Sequence, residues 1–141
     1  MKLRHDHIHL YASDLAHTAT WYKKVLGATI IRSRQSDGRE RTDLELGGVT
    51  IYLGDAVKLK GSLGWTLNEA TPSPRLGVDH IGFSVDNIDL VARELIDRGA
   101  TITYGPRYLR PGAACLFLEA PDGVIIEIIQ RDRLIDAVPI T

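Results

Sequence analysis

Asp6-His7-Ile8-His9-Leu10 returns as Asp79-His80-Ile81-Gly82-Phe83, an offset of 73 residues. A repeat on that span means one supersecondary unit used twice, so the residues that follow each copy can be compared in step. After the first copy, Leu15, Thr18, Ala19, Tyr22, Val25 and Leu26 recur at helical spacing, with Ser13 or Asp14 as N-cap and Gly27 as the stop. After the second, Ile88, Val91, Ala92, Leu95 and Ile96 do the same, with Asp86 opening the helix and Gly99 closing it. Ala28-Thr29-Ile30-Ile31 then matches Ala100-Thr101-Ile102-Thr103 at an offset of 72. Gly48-Val49-Thr50-Ile51-Tyr52-Leu53 matches Gly123-Val124-Ile125-Ile126-Glu127-Ile128 at an offset of 75. The pattern predicts strand–helix–strand–strand–strand twice, an α+β fold. It divides the chain into a module at 5–54, a linker or loop over a binding site at 55–77, a module at 78–131 and a short tail at 132–141.

Composition bounds the rest. The 141 residues suit one domain, and 17 Lys+Arg against 18 Asp+Glu remove the electrostatic reason to expect nucleic acid or an anionic membrane as partner. Cys115 is the single cysteine, which excludes an internal disulfide and a cysteine zinc site and suits a reducing compartment. No apolar run approaches the ~18 residues of a membrane span, and the polar, His-rich amino end is unlike a signal peptide. A cytoplasmic domain is the expectation.

Strand parity separates two faces. Ile8 and Leu10, Leu44 and Leu46, Ile51 and Leu53, Ile81, Phe83 and Val85, and Val124, Ile126 and Ile128 are apolar enough to lie under a helix. The opposite parity collects His7, His9, Asp43, Glu45, Thr50, Tyr52, His80, Gly82, Ser84, Ile125, Glu127 and Ile129. Chemistry is expected on that second face. Glu127 interrupts an isoleucine-rich strand, where a carboxylate is costly unless paired, hydrogen-bonded or bound to metal. An exposed edge strand or an ion pair with Arg107 or Arg110 are the structural alternatives. His7 and His80 are repeat-equivalent, and with Glu127 they form a two-histidine, one-carboxylate set that leaves coordination positions open. The alternative for each histidine is an ordinary hydrogen-bonded strand residue.

These residues resemble the vicinal oxygen chelate superfamily, which includes glyoxalase I, methylmalonyl-CoA epimerase, extradiol dioxygenases, fosfomycin-resistance enzymes and bleomycin-binding proteins. The resemblance is carried by Asp6-His7-Ile8, by Trp21-Tyr22-Lys23-Lys24-Val25-Leu26-Gly27, by Asp79-His80-Ile81-Gly82-Phe83-Ser84-Val85-Asp86 and by Ala120-Pro121-Asp122-Gly123-Val124-Ile125-Ile126-Glu127. It implies two tandem βαβββ modules forming a curled mixed sheet around a metal-binding cavity. It also implies His7, His80 and Glu127 as ligands of a divalent ion (Ni, Co, Mn, Zn or Fe(II)), a small-molecule substrate with adjacent oxygen atoms, and a homodimer. Family members with a fourth protein ligand carry Glu or Gln where repeat alignment here puts Tyr52, a departure from the lactoylglutathione lyase and epimerase patterns.

The implied activity is that of an isomerase, epimerase or lyase working through a metal-stabilised enolate or enediolate. An Fe(II) ring-cleaving dioxygenase and a metal-free drug- or metabolite-binding protein are the alternatives. His9, Glu45 and Asp43 are candidate bases, and Tyr52 a donor to the developing oxyanion. Arg107 and Arg110, with Tyr104, are candidates to grip a carboxylate or phosphate. Trp65 and Phe117 are candidate apolar contacts for substrate. Cys115 shares the parity of Phe117 but lacks a base that would make it a nucleophile.

Overall fold

The computed structural model describes residues 1–34, 40–63 and 67–132, which fall into two compact units, Met1–Ala70 and Thr71–Thr141. In the first unit β1 (Ile8–Ala12), α1 (Leu15–Leu26), β2 (Thr29–Arg34), β3 (Glu40–Leu46) and β4 (Val49–Asp55) are followed by α2 (Ala56–Leu63). The second unit runs β5 (Ile81–Ser84), α3 (Ile88–Asp97), β6 (Thr101–Arg110), β7 (Ala113–Glu119) and β8 (Ile125–Arg131). Each unit builds one four-stranded mixed sheet, in the orders β1-β4-β3-β2 and β5-β8-β7-β6. In both, the first strand lies parallel to the last and the other neighbours are antiparallel. The expected α+β architecture of two tandem βαβββ modules is the one observed.

Local chemistry explains these elements. Asp14 caps α1 by accepting from the His17 amide at 3.0 Å, and Gly27 ends it at φ 75°, a left-handed stop that costs glycine little. The cap of α3 is Asn87 rather than Asp86. Its side chain stands three residues before the Leu90 amide and accepts from it at 3.0 Å, the reach an N-cap requires. Gln130 on β8 takes a second unpaired amide of that helix, Ile88, at 2.9 Å. Matching two-residue turns lead into the last strand of each unit, Gly47-Gly48 at φ 56° and 81° and Asp122-Gly123 at φ 60° and 74°. Positive φ at both positions is what a type I′ turn demands, and its twist suits the flanking strands.

The first half of 55–77, read from sequence as a linker or a loop over a binding site, carries α2. Asp55 caps it, accepting from the amides of Val57 at 3.0 Å and Lys58 at 3.1 Å. Trp65 and residues 133–141 of the expected tail lie outside the described residues. Among the described residues no helix is long and apolar enough to cross a membrane.

The strand register keeps the apolar parity together. Leu44, Ile51 and Leu53 are buried with Tyr22 and Val25 of α1, and Leu116, Leu118, Ile126 and Ile128 with Ala92 and Leu95 of α3. A helix therefore covers one face of each sheet, leaving the polar parity on the other.

Candidate functional site

On the face of the second sheet opposite α3, β8 places Glu127 opposite Gly82 of β5 and Phe117 of β7. A Cβ at Gly82 would stand in ordinary van der Waals contact with Glu127 Oε2, at 3.6 Å. His80, just before β5, places Nε2 3.0 Å from that oxygen and donates from Nδ1 to Asp79 Oδ2 at 2.8 Å. The bond to Asp79 raises the His80 pKa, helped by Glu127 and opposed by burial. The same bond, with that of Ser73, holds the Asp79 carboxyl below its ordinary range. The Glu127 side chain is 16% exposed, and its ion-pair partner is His80 rather than either arginine considered from sequence.

Aromatic groups line this pair. Phe117 meets the His80 ring edge-on at 5.3 Å, and Tyr104 meets Phe117 at 6.0 Å. The Arg107 guanidinium lies 5.6 Å from the centre of the Tyr104 ring. Arg110 is exposed near the end of β6. Cys115 is fully buried on β7, and burial followed by the Glu127 charge pushes its thiol pKa up, the wrong direction for a resting nucleophile.

The first unit repeats half of this arrangement. His7 Nδ1 donates to Asp6 Oδ2 at 2.5 Å, as His80 does to Asp79. Where β8 has Glu127, β4 has Tyr52, whose ring stacks on the His7 imidazole at 4.0 Å and 18°. The Arg41 guanidinium covers the same ring at 3.7 Å and grips buried Asp43 through bonds of 2.7 and 3.0 Å. Glu45 accepts from the Thr50 hydroxyl at 2.6 Å. His9 pairs with Tyr52 across the β1–β4 ladder and stacks on Tyr11 at 4.6 Å. Desolvation, then the charges of His7 and Arg41, lower its pKa, with Asp43 opposing, so the ring favours its neutral, proton-accepting form. Gly54 makes room for this stack, because a Cβ there would stand 2.9 Å from His9 Nε2 and 2.6 Å from Tyr11.

His80 and Glu127 thus meet, while His7, His9, Tyr52 and Asp43 cluster in their own unit. Among the described residues no group of three potential ligands is gathered at one point. Sequence reasoning missed Arg41, Ser73 and Arg75 as partners of these residues. Arg41 had a signal, being two residues from Asp43 on one strand face; Ser73 and Arg75 sit in irregular chain, where no periodicity marks them.

A family model for the Glyoxalase/Bleomycin resistance protein/Dioxygenase superfamily matches residues 4–128. Among solved structures, an integron cassette protein from the mobile metagenome of V. cholerae is 27% identical, with 94% of this chain and 98% of that one covered and a TM-score of 0.65. A glyoxalase/bleomycin resistance protein/dioxygenase from Nocardioides is 22% identical, with 100% and 93% covered and a TM-score of 0.72. A genomically encoded fosfomycin resistance protein from Listeria monocytogenes shares the fold at 15% identity, with 95% and 98% covered and a TM-score of 0.68. Comparison with curated protein sequences yields no match. The model match spans most of the 141 residues, and the chain belongs to the glyoxalase/bleomycin resistance protein/dioxygenase superfamily.

Proposed function

We propose that the protein is a divalent-metal-dependent enzyme that isomerises, epimerises or cleaves small substrates bearing adjacent oxygen atoms. Its ligand set is His7, His80 and Glu127, and it works as a homodimer in the cytoplasm. The observation that carries this reading is the repeated Asp–His pair. In both units the preceding aspartate engages Nδ1, the usual arrangement behind a ligating histidine, which reserves Nε2 for a ligand. In the second unit that Nε2 already faces Glu127, a carboxylate whose apolar strand otherwise disfavours it. The donor chemistry, two imidazoles and one carboxylate, suits Ni, Co, Mn, Zn or Fe(II).

A bound divalent ion supplies Lewis acidity toward adjacent substrate oxygens. The protein's own groups do the rest. Neutral His9 takes the proton from the carbon beside the carbonyl, favoured over Glu45, whose carboxylate is engaged by Thr50, and over Asp43, which is tied to Arg41. The Tyr52 hydroxyl donates to oxygen as charge develops. Phe117 supplies an apolar wall beside His80, and Arg107 pairs with an anionic substituent.

Solvent-deuterium exchange tests the reaction class. A panel of 2-hydroxyaldehydes, 2-oxoacids and 2-hydroxythioesters incubated in D2O should yield at least one compound whose carbon-bound hydrogen exchanges. That exchange should stop on chelation and fall about a hundredfold or more in His9→Phe. The two-histidine, one-carboxylate set equally suits an Fe(II) dioxygenase. Oxygen uptake with a catechol, in the absence of any exchange, would transfer the assignment to that class.

A further inference from the structure

Residues 71–79 have no regular secondary structure, yet their polar groups converge on one side chain. Asp79 Oδ1 accepts from the Ser73 hydroxyl at 2.7 Å and from the Arg75 amide at 3.1 Å, while Oδ2 takes the His80 Nδ1 bond at 2.8 Å. The Arg75 guanidinium in turn donates to three main-chain oxygens, those of Thr71 at 2.9 Å, Asp79 at 3.0 Å and Gly123 at 3.2 Å. Gly123 closes the turn that leads into β8, the strand carrying Glu127. A single side chain therefore ties the residue before His80 to the approach of the strand that holds its partner. Arginine suits this task because its planar fork offers five donors in fixed directions, which lysine does not.

The restraint matters because Asp79 and His80 are sequence neighbours. Their side-chain contact spans one peptide, so the sheet register alone leaves the carboxylate free to rotate; Asp79 keeps 28% side-chain exposure. Ser73 and the Arg75 amide occupy Oδ1 and thereby aim Oδ2 at the imidazole. In the first unit, Asp6 engages His7 from a side chain that is 81% exposed, and no second bond to it is found among the described residues.

We propose that Ser73 and Arg75 are positioning residues for the ligand pair: Ser73 fixes His80 through Asp79, and Arg75 sets His80 against Glu127 through Asp79 and Gly123. The proposal rests on the ligand reading above, and the test separates the two. Ser73→Ala, Arg75→Met, Arg75→Lys and Asp79→Asn, with the double variant Ser73→Ala/Asp79→Asn, are titrated with Co(II) against a chromophoric chelator. His80→Ala serves as the ligand control. Separately, the His80 Nδ1–H signal of the metal-free protein is followed by proton–nitrogen NMR.

Asp79→Asn and Arg75→Met should weaken Co(II) binding about tenfold or more, Ser73→Ala by less, and Arg75→Lys should not restore it. The double variant should lose no more than Asp79→Asn alone, since Ser73 acts through that carboxylate. Ser73→Ala should speed solvent exchange of the Nδ1–H proton without lowering the melting temperature, a signature that a merely structural role does not give. Should Arg75→Met fail to fold, the Ser73→Ala affinity and NMR signal carry the test. If His80→Ala abolishes Co(II) binding while Ser73→Ala and Arg75→Met bind like wild type with an unchanged Nδ1–H signal, the positioning proposal is overturned alone. If wild type binds no Co(II) but Ser73→Ala still frees the Nδ1–H proton, the ligand reading fails and the positioning of His80 stands.

Discussion

Tyr52 shows how one substitution between repeats changes a site. It occupies in β4 the place Glu127 occupies in β8, yet its unit builds a stack instead of an ion pair. His7 lies 4.0 Å and Arg41 3.7 Å from the ring centre, and two planar groups that close cannot share one face, so the ring is clamped from both sides. The two ring contacts are to the π-system, and a smaller contribution joins Arg41 to the hydroxyl through a hydrogen bond. Tyr52→Phe should lose clearly less stability in urea unfolding than Tyr52→Leu, which should lose about 1–2 kcal/mol. Equal losses in the two variants would show that the stack contributes nothing. Parity along the strand made His7, His9, Tyr52 and Glu127 legible as occupants of one kind of face. It could not reveal that Tyr52 would be covered by Arg41, because alternation assigns a face but not a partner.

Glycines mark where the elements depend on geometry that sequence periodicity does not encode. Gly105 interrupts β6 at φ 78°, and a Cβ there would stand 2.4 Å from the Cys115 carbonyl, a backbone atom unable to yield. The strand shifts register between Tyr104 and Arg107 around that residue, which re-aims both side chains. Gly105→Ala should destabilise the protein by at least about 2 kcal/mol, read from the urea midpoint. Gly61 is the opposite case. It lies inside α2, and a Cβ there meets nothing within 4 Å, so Gly61→Ala should stabilise by about 0.5–1 kcal/mol. A loss instead would argue against the helix. From sequence this stretch read as a linker or a loop over a binding site; the capping role of Asp55 was hidden because that residue also ends β4. The cap of α3 was misplaced by one residue for a related reason. Asp86 and Asn87 are both good caps, and only the reach to the Leu90 amide decides between them.

The whole molecule follows from the repeat. Doubling one βαβββ unit yields two sheets, each covered by a helix on one face and carrying its candidate site residues on the other, and the Asp–His pair is carried into both copies. That duplication was readable in the opening residues of each module. The environment of each pair was not, since Ser73, Arg75 and Gly123 reach Asp79 and its neighbours through loop contacts spanning up to 48 residues. The central claim is that His7, His80 and Glu127 together hold one divalent ion. Elemental analysis of protein purified without a histidine tag tests it most directly, with circular dichroism confirming that each variant folds. One ion per chain is expected in the wild type, and none in His7→Ala, His80→Ala or Glu127→Ala. Wild-type metal content in any folded member of those three would contradict the claim.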